Sequence, residues 1–424
     1  MTAAILARRE AHQHSDRSRT TPAFRWDGQP LDNVIASLLN TGSDEFLGAM
    51  SGEGVAALVD RAWYHGVIPL LHDRLSRTPA SCHNLIEKLR DESRAAGMWE
   101  LRHQKVVHGL GQTLTEAGIQ ALCFKGTALA YQIYEKPYLR TRSDTDLLVA
   151  EDDLERCRRL LSQSGFVRRP SLPGEQVSAE ESWTLRHSDR SRHTIDLHWR
   201  INSAQPLANL FTFAELKASA EPLQTLGGLL VPDPVISLLI ACMHRAVHRS
   251  DQQVSPKGAK HSGERLIWLL DVHLLSETFS NEDWQRFMDL AVGKGLAGAA
   301  REALQLAQRY FPNEHVRHII SVLEAAPASS LSDCYLRQSN VAREVLNIWS
   351  AERPSVRLRL LQDILLPPRA YLLWKYPDAR VTWTPVLQIR RWMEGIRKRF
   401  AAALTGRTIT SLSRQTREPR FEPR

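Results

Sequence analysis

Three aspartates carry the most specific chemistry in this 424-residue chain. Asp144 and Asp146 open the run Ser143-Asp144-Thr145-Asp146-Leu147-Leu148-Val149, whose aliphatic end suits a buried strand. Side chains alternate along a strand, so the two carboxylates share a face, about 7 Å apart. Hard oxygen ligands placed this way suit Mg2+ or Mn2+. In Thr194-Ile195-Asp196-Leu197-His198-Trp199 the same alternation puts Asp196 and His198 on one face, with Ile195 and Leu197 on the other. A neighbouring strand that sets Asp196 beside the first pair would complete a two-metal phosphoryl-transfer site.

Other elements must hold these strands in place. The apolar run Ala121 to Phe124 ends at Lys125-Gly126-Thr127, and a helical pattern with Ala128, Leu129, Ile133 and Tyr134 leads on to Pro137. Free N–H groups at the head of that helix suit an anion, with Lys125 and Arg142, and more weakly Arg140, adding positive charge. Glu151 to Ser164 reads as a helix and Phe166-Val167 as a strand, followed by a loop over 168–181. Trp183 to His187 and His193 to Trp199 then form an antiparallel pair turning at 188–191.

The stretches K-G-T-A-L, R-T-R-S-D-T-D-L-L-V and I-D-L-H-W together resemble the DNA polymerase beta-type nucleotidyltransferase superfamily. More narrowly, they resemble a poorly characterised bacterial nucleotidyltransferase family often linked to surface-polysaccharide gene clusters. The resemblance runs through roughly residues 50 to 375. It implies an α+β fold, a small mixed-sheet core flanked by N- and C-terminal helical regions. It also implies transfer of a nucleoside monophosphate from an NTP donor to a hydroxyl acceptor, with Mg2+ or Mn2+ as cofactor. Asp144, Asp146 and Asp196 would be the metal ligands and catalytic residues; Lys125, Gly126, Thr127, Arg142 and Ser143 would bind the nucleotide. Superfamily members usually carry Gly-Gly or Gly-Ser where this chain has Gly126-Thr127, and Lys125 is typical of the narrower family.

The C-terminal half adds a second set of candidates. His244 and His248 stand four residues apart, on one face of a helix over Val235 to His248. Such a pair can bind a metal, but no H-E-x-x-H arrangement is present. The resemblance instead puts both histidines in a cleft facing the core together with His198 and Arg265; simple packing stays open. Arg265, Trp268 and Asp271 share roughly one helical face, where Arg265 could meet a phosphate and Asp271 could orient His244 or His248. Gln252 to Gly263 reads as a polar loop.

Composition sets outer bounds. A hydrophobic share of 43% and a charged share of 24% are those of a soluble globular protein. The net charge of +8 favours anionic partners. Five cysteines without C-x-x-C spacing suit reduced thiols. No apolar run reaches the roughly 18 residues of a membrane span, and a cytoplasmic location is expected. Helical stripes such as Leu31, Val34, Ile35 and Leu38 give a helical region over 27–118. The sheet core spans 119–200 and a second helical region 201–350, with polar tails at 1–26 and 405–424 expected to be disordered. The basic segment 351–404 includes an amphipathic helix, Val386 to Leu404, with Ile389, Trp392, Met393, Ile396 and Phe400 on one side. It could contact an anionic membrane peripherally, pack on the protein, or bind a partner. A non-catalytic nucleotide-binding module, or a membrane-peripheral interaction protein of a polysaccharide assembly system, therefore competes with the enzyme. No RNA-recognition, zinc-finger or KH signature points to nucleic acid.

Overall fold

The computed structural model describes residues 25–26, 29–42, 50–77, 82–170, 178–189, 191–249, 251–326, 330–338, 340–351, 353–376 and 383–405. The polar tails expected at 1–26 and 405–424 fall outside this set except for Arg25, Trp26 and Thr405. A two-strand hairpin, β1 (Arg25–Trp26) and β2 (Gln29–Pro30), leads into four helices: α1 (Leu31–Thr41), α2 (Gly52–His65), α3 (Ile68–Ser76) and α4 (His83–Glu116). Local chemistry sets the ends of α2. The Ser51 side chain accepts from Gly54 N–H at its start, and Gly66, at φ 71°, stops it in the left-handed conformation.

The sheet core follows. Its elements are β3 (Ala121–Phe124), α5 (Lys125–Gln132), β4 (Asp144–Val149), α6 (Leu154–Gln163), β5 (Val167–Arg168), β6 (Glu180–Arg186) and β7 (Arg192–His198). After the short helices α7 (Gln205–Ala208) and α8 (Phe213–Ala218) come β8 (Glu221–Leu223) and β9 (Leu229–Val231). The seven strands form one mixed sheet in the order β5-β6-β7-β4-β3-β9-β8. β4 runs parallel to β7 and β3 parallel to β9; the other neighbours are antiparallel. The 168–181 stretch read as loop gives up its last residues to β6. There Ser182 and Thr184 alternate with Glu181 and Trp183, and the strand begins at Glu180.

The sheet has two different faces. Ala121, Cys123, Leu147, Val149, Ile195 and Leu197 pack with α6 and the C-terminal half of α4. Leu122, Phe124 and Leu148 point the other way, into a core shared by α1–α3 and the later helices. Those helices are α9 (Pro234–His248), α10 (Leu266–Glu277), α11 (Asn281–Gly293), α12 (Ala297–Tyr310), α13 (Val316–Ala325), α14 (Leu331–Arg337) and α15 (Asn340–Trp349). Asp233 caps α9 by accepting from the Val235 and Ile236 N–H groups, with Pro234 at the first helical position. The N-terminal and C-terminal helices thus build one layer over the face that bears the three aspartates.

Between α9 and α10 the chain is not the expected open loop. It is a hairpin, β10 (Gln252–Val254) with β11 (Lys260–Ser262), because its polar residues find partners on α2. His261 Nε2 lies 2.7 Å from Asp60, and the Tyr64 hydroxyl donates to Gly263 O at 2.7 Å. The chain closes with α16 (Pro354–Leu365), α17 (Arg369–Lys375) and α18 (Thr384–Thr405). Tyr371, Leu372, Tyr376 and Leu387 form a small cluster of their own. All five cysteines are free thiols. Among the described residues no helix is long and apolar enough to cross a membrane.

Candidate active site

Strand register gathers the carboxylates. In the parallel β4–β7 ladder Asp146 stands opposite Asp196, and Asp144 opposite Thr194. In the antiparallel β6–β7 ladder Ser182 stands opposite Asp196, and Glu180 opposite His198. Residues paired across a ladder share a face, and so do residues two apart. Asp144, Asp146, Asp196, His198, Ser182 and Glu180 therefore lie on one face of three adjacent strands. Glu180 and Ser182 were not recognised from sequence. Their signal was there, since a hairpin closing over 188–191 pairs 180 with 198 and 182 with 196.

Lys125 reaches this face from the head of α5. Its ammonium donates to Asp146 Oδ1 at 2.6 Å, and His198 Nε2 lies 2.9 Å from the same oxygen. Among the described residues Lys125 alone is a non-glycine with positive φ, at 57°. Such a backbone costs about 1–2 kcal/mol for an L-residue and persists only where the surroundings impose it. Burial alone would raise the Asp146 carboxyl, but the charge of Lys125 and the hydrogen bond from His198 hold it well below the usual carboxylate range. Asp196 shows the opposite balance. Burial, then the charges of Asp144, Glu180 and Asp146, push it up to about 7, against the hydrogen bond from Ser182. One carboxylate is neutralised by a lysine, and another keeps a proton into the neutral range.

Asp144, Asp146 and Asp196 are oxygen donors of the kind a hard divalent cation takes, and burial, then the surrounding carboxylates, raises Asp196. They do not form a closed cage: among the described residues no group of three His, Cys, Asp or Glu is gathered closely enough to hold a metal as it stands.

The expected nucleotide contacts divide. Lys125 and Gly126 border a small cleft with Arg140, His244, Trp268 and Asp271. A Cβ at Gly126 would come within 3.1 Å of the Arg140 guanidinium, so glycine is what lets the two segments approach. Thr127 and Arg142 do not reach the cleft. The Thr127 hydroxyl is fully buried, 3.2 Å from Asp144 O and 2.8 Å from the Thr145 hydroxyl, and accepts from Arg142 Nε at 2.9 Å. Arg142 itself pairs with Glu100 of α4 at 2.8 Å. Both residues expected on phosphate instead brace the head of α5 against β4 and α4, because Glu100 supplies a buried carboxylate that Arg142 must neutralise. Ser143 is exposed and its hydroxyl lies 3.4 Å from Asp144 Oδ2.

The C-terminal candidates do meet the core. His244 rings lie 4.5 Å from His248 and 5.6 Å from Trp268. Burial, then His248 and Lys125, hold His244 neutral. Asp271 does not orient either histidine. It takes a two-pronged contact from Arg140, at 3.2 and 2.7 Å, and the Tyr134 hydroxyl at 2.7 Å, while His248 pairs with Asp251 at 2.8 Å. Arg265 donates to Tyr64 O at 2.7 Å and forms no ion pair among the described residues. Burial, then the neighbouring Arg140 charge, lower it to about 10.

A mixed sheet bearing Asp-x-Asp beside a third strand aspartate, with a Lys-Gly-Thr helix start directly after β3, describes a nucleotidyltransferase-like α+β fold. The chain belongs to the uncharacterised nucleotidyltransferase family, whose family model matches residues 51–312. Among solved structures it is similar to an antigenic nucleotidyltransferase-like protein from Paracoccidioides brasiliensis. Identity is 17% and the TM-score 0.30, with 53% of this chain and 93% of that chain covered. No curated protein matches it.

Proposed function

We propose that the protein moves a nucleoside monophosphate from an NTP to a hydroxyl acceptor, releasing pyrophosphate. The observation that carries this reading is the register of Asp146 with Asp196 beside a cation-lined cleft. Asp144, Asp146 and Asp196 would hold Mg2+ or Mn2+, which when bound offsets phosphate charge and acidifies an acceptor hydroxyl. The N–H groups at the head of α5, with Lys125 and Arg265, would bind and orient the polyphosphate. Asp196, whose raised pKa supports a role in proton transfer, would take the acceptor's proton once it has lost its own. His198 fixes the Asp146 carboxylate from behind. The resemblance to families linked with polysaccharide clusters makes sugar hydroxyls the first acceptors to screen.

The contact between Lys125 and Asp146 favours a second reading, a nucleotide sensor whose own lysine occupies the metal ligand. Melting temperatures with each NTP, with and without Mg2+, test both, since a ligand of the folded state raises the melting point. A metal-dependent shift for one NTP, lost in Asp144→Ala/Asp146→Ala, together with pyrophosphate release, supports the enzyme. The same shift with no turnover on any acceptor supports the sensor. No shift with any nucleotide would sink both.

A further inference from the structure

The C-terminal helices expose an unusual amount of apolar surface. Of the eighteen exposed large hydrophobic side chains among the described residues, eleven lie between Val345 and Met393. They are ordered into stripes. On α16, Leu358, Leu361 and Leu365 follow i, i+3, i+7 spacing at 68, 39 and 51% exposure, while Leu360 is buried on the opposite side. On α18, Val386, Ile389 and Met393 repeat that spacing at 39, 55 and 61%, while Leu387 and Gln388 face inward. The two stripes adjoin, because the Trp392 indole N–H donates to Leu365 O at 3.0 Å and Arg391 donates to Ile364 O at 2.7 Å. Trp349 and Trp383, each 69% exposed, lie in the same stretch of chain.

Charge indicates what covers this surface. Residues 353–405 hold eleven Lys and Arg against three Asp and Glu, an excess equal to the +8 of the whole chain. On the α18 helical wheel the exposed Arg390 and Arg397 border one edge of the Val386–Ile389–Met393 stripe. Leucine and tryptophan edged by arginine suit the interface of an anionic bilayer, where the rings sit at headgroup level and the cations meet lipid phosphates. A protein partner would require a matching acidic rim. No described helix is apolar enough to span the bilayer, so the contact is an in-plane one.

We propose that α16 and α18 form a docking surface for an anionic membrane, holding the protein peripherally at a lipid headgroup layer. This reading is independent of nucleotidyl transfer. The test is co-sedimentation of the full chain with phosphatidylcholine vesicles, without and with about 30 mol% phosphatidylglycerol, at low salt and at about 0.5 M NaCl, where charge attraction is screened. Wild type should pellet with the anionic vesicles about tenfold more than with neutral ones and lose most of that binding in high salt. Ile389→Glu/Met393→Glu and Arg390→Glu/Arg397→Glu, both at exposed positions, should each abolish pelleting while keeping the wild-type unfolding midpoint. The vesicle comparison on wild type needs no variant, so a misfolded variant leaves the proposal open to refutation. Equal pelleting with neutral and anionic vesicles, or none with either, overturns it. So does a wild-type dimer in light scattering that Ile389→Glu/Met393→Glu converts to monomer, because a second copy would then be the occupant.

Discussion

Lys125 combines two costs that ordinarily are avoided separately: a left-handed backbone and an ammonium set against a buried carboxylate. The two can be measured apart. Lys125→Ala and Lys125→Gly remove the same charge, but only alanine retains the strained φ, so the glycine variant should be about 1 kcal/mol the more stable by urea unfolding. Equal stabilities would mean that the backbone there is unstrained. Asp196 makes a prediction of the opposite kind. Its folded-state pKa, about 7, is raised above the unfolded carboxylate value, so the native state holds the extra proton between those limits. Stability from this group is therefore greatest in acid and is lost as pH rises through 7. In EDTA, Asp196→Asn should unfold about 1–2 kcal/mol later than wild type at pH 8, a gap that shrinks towards pH 5. A gap that is constant with pH would rule out ionisation of the buried Asp196 carboxyl as its source.

At the scale of elements, the long helix α4 packs Val107, Leu110 and Leu114 on the sheet and also makes a close backbone approach to the turn before β9. A Cβ on Gly111 would lie 2.2 Å from Leu226 O, whereas one on Gly109 would meet nothing within 4 Å. We expect Gly111→Ala to destabilise by about 2–3 kcal/mol, by forcing α4 off the turn that leads to β9. Gly109→Ala should be neutral or stabilising by up to about 1 kcal/mol, from helix propensity alone. Denaturant midpoints of the two variants decide this, and similar values would show that the contact yields freely. The same logic explains Thr127 and Arg142. Helix α4 brings Glu100 under the head of α5, and a buried carboxylate there captures the arginine that sequence reading had assigned to phosphate.

For the molecule as a whole, the N-terminal helices matter because they close the layer over the site. His65 is the joint. Its Nδ1 accepts from Leu266 N–H at 3.1 Å and its Nε2 lies 2.9 Å from Asp32, so it is the neutral form, protonated at Nε2, that fits. A second proton would point at the Leu266 N–H. Burial holds its pKa at about 4 although Asp32 pulls upward. A histidine depressed in the folded state loses stability as pH falls from its unfolded value, near 6.5, towards 4. We expect wild type to lose about 2 kcal/mol between pH 7 and 5 on this account, and His65→Gln to show a visibly flatter profile. Parallel profiles would assign the acid sensitivity elsewhere.

Much of the fold could be read from patterning. The period-two alternation of Asp144–Val149 and Thr194–Trp199 is local, and local alternation dictates which residues share a strand face. The helix start after Phe124 and the helical stripes were legible for the same reason. Partner choice was not. Whether Arg142 meets phosphate or Glu100, and whether Asp271 orients a histidine or clamps Arg140, depend on residues far away in the chain, and so do the α2 contacts that hold the 252–263 hairpin. A buried charge takes the nearest counter-charge, and nearness is set by packing. Sequence therefore determined the strand that carries the aspartates, and tertiary structure alone decided which cations face them.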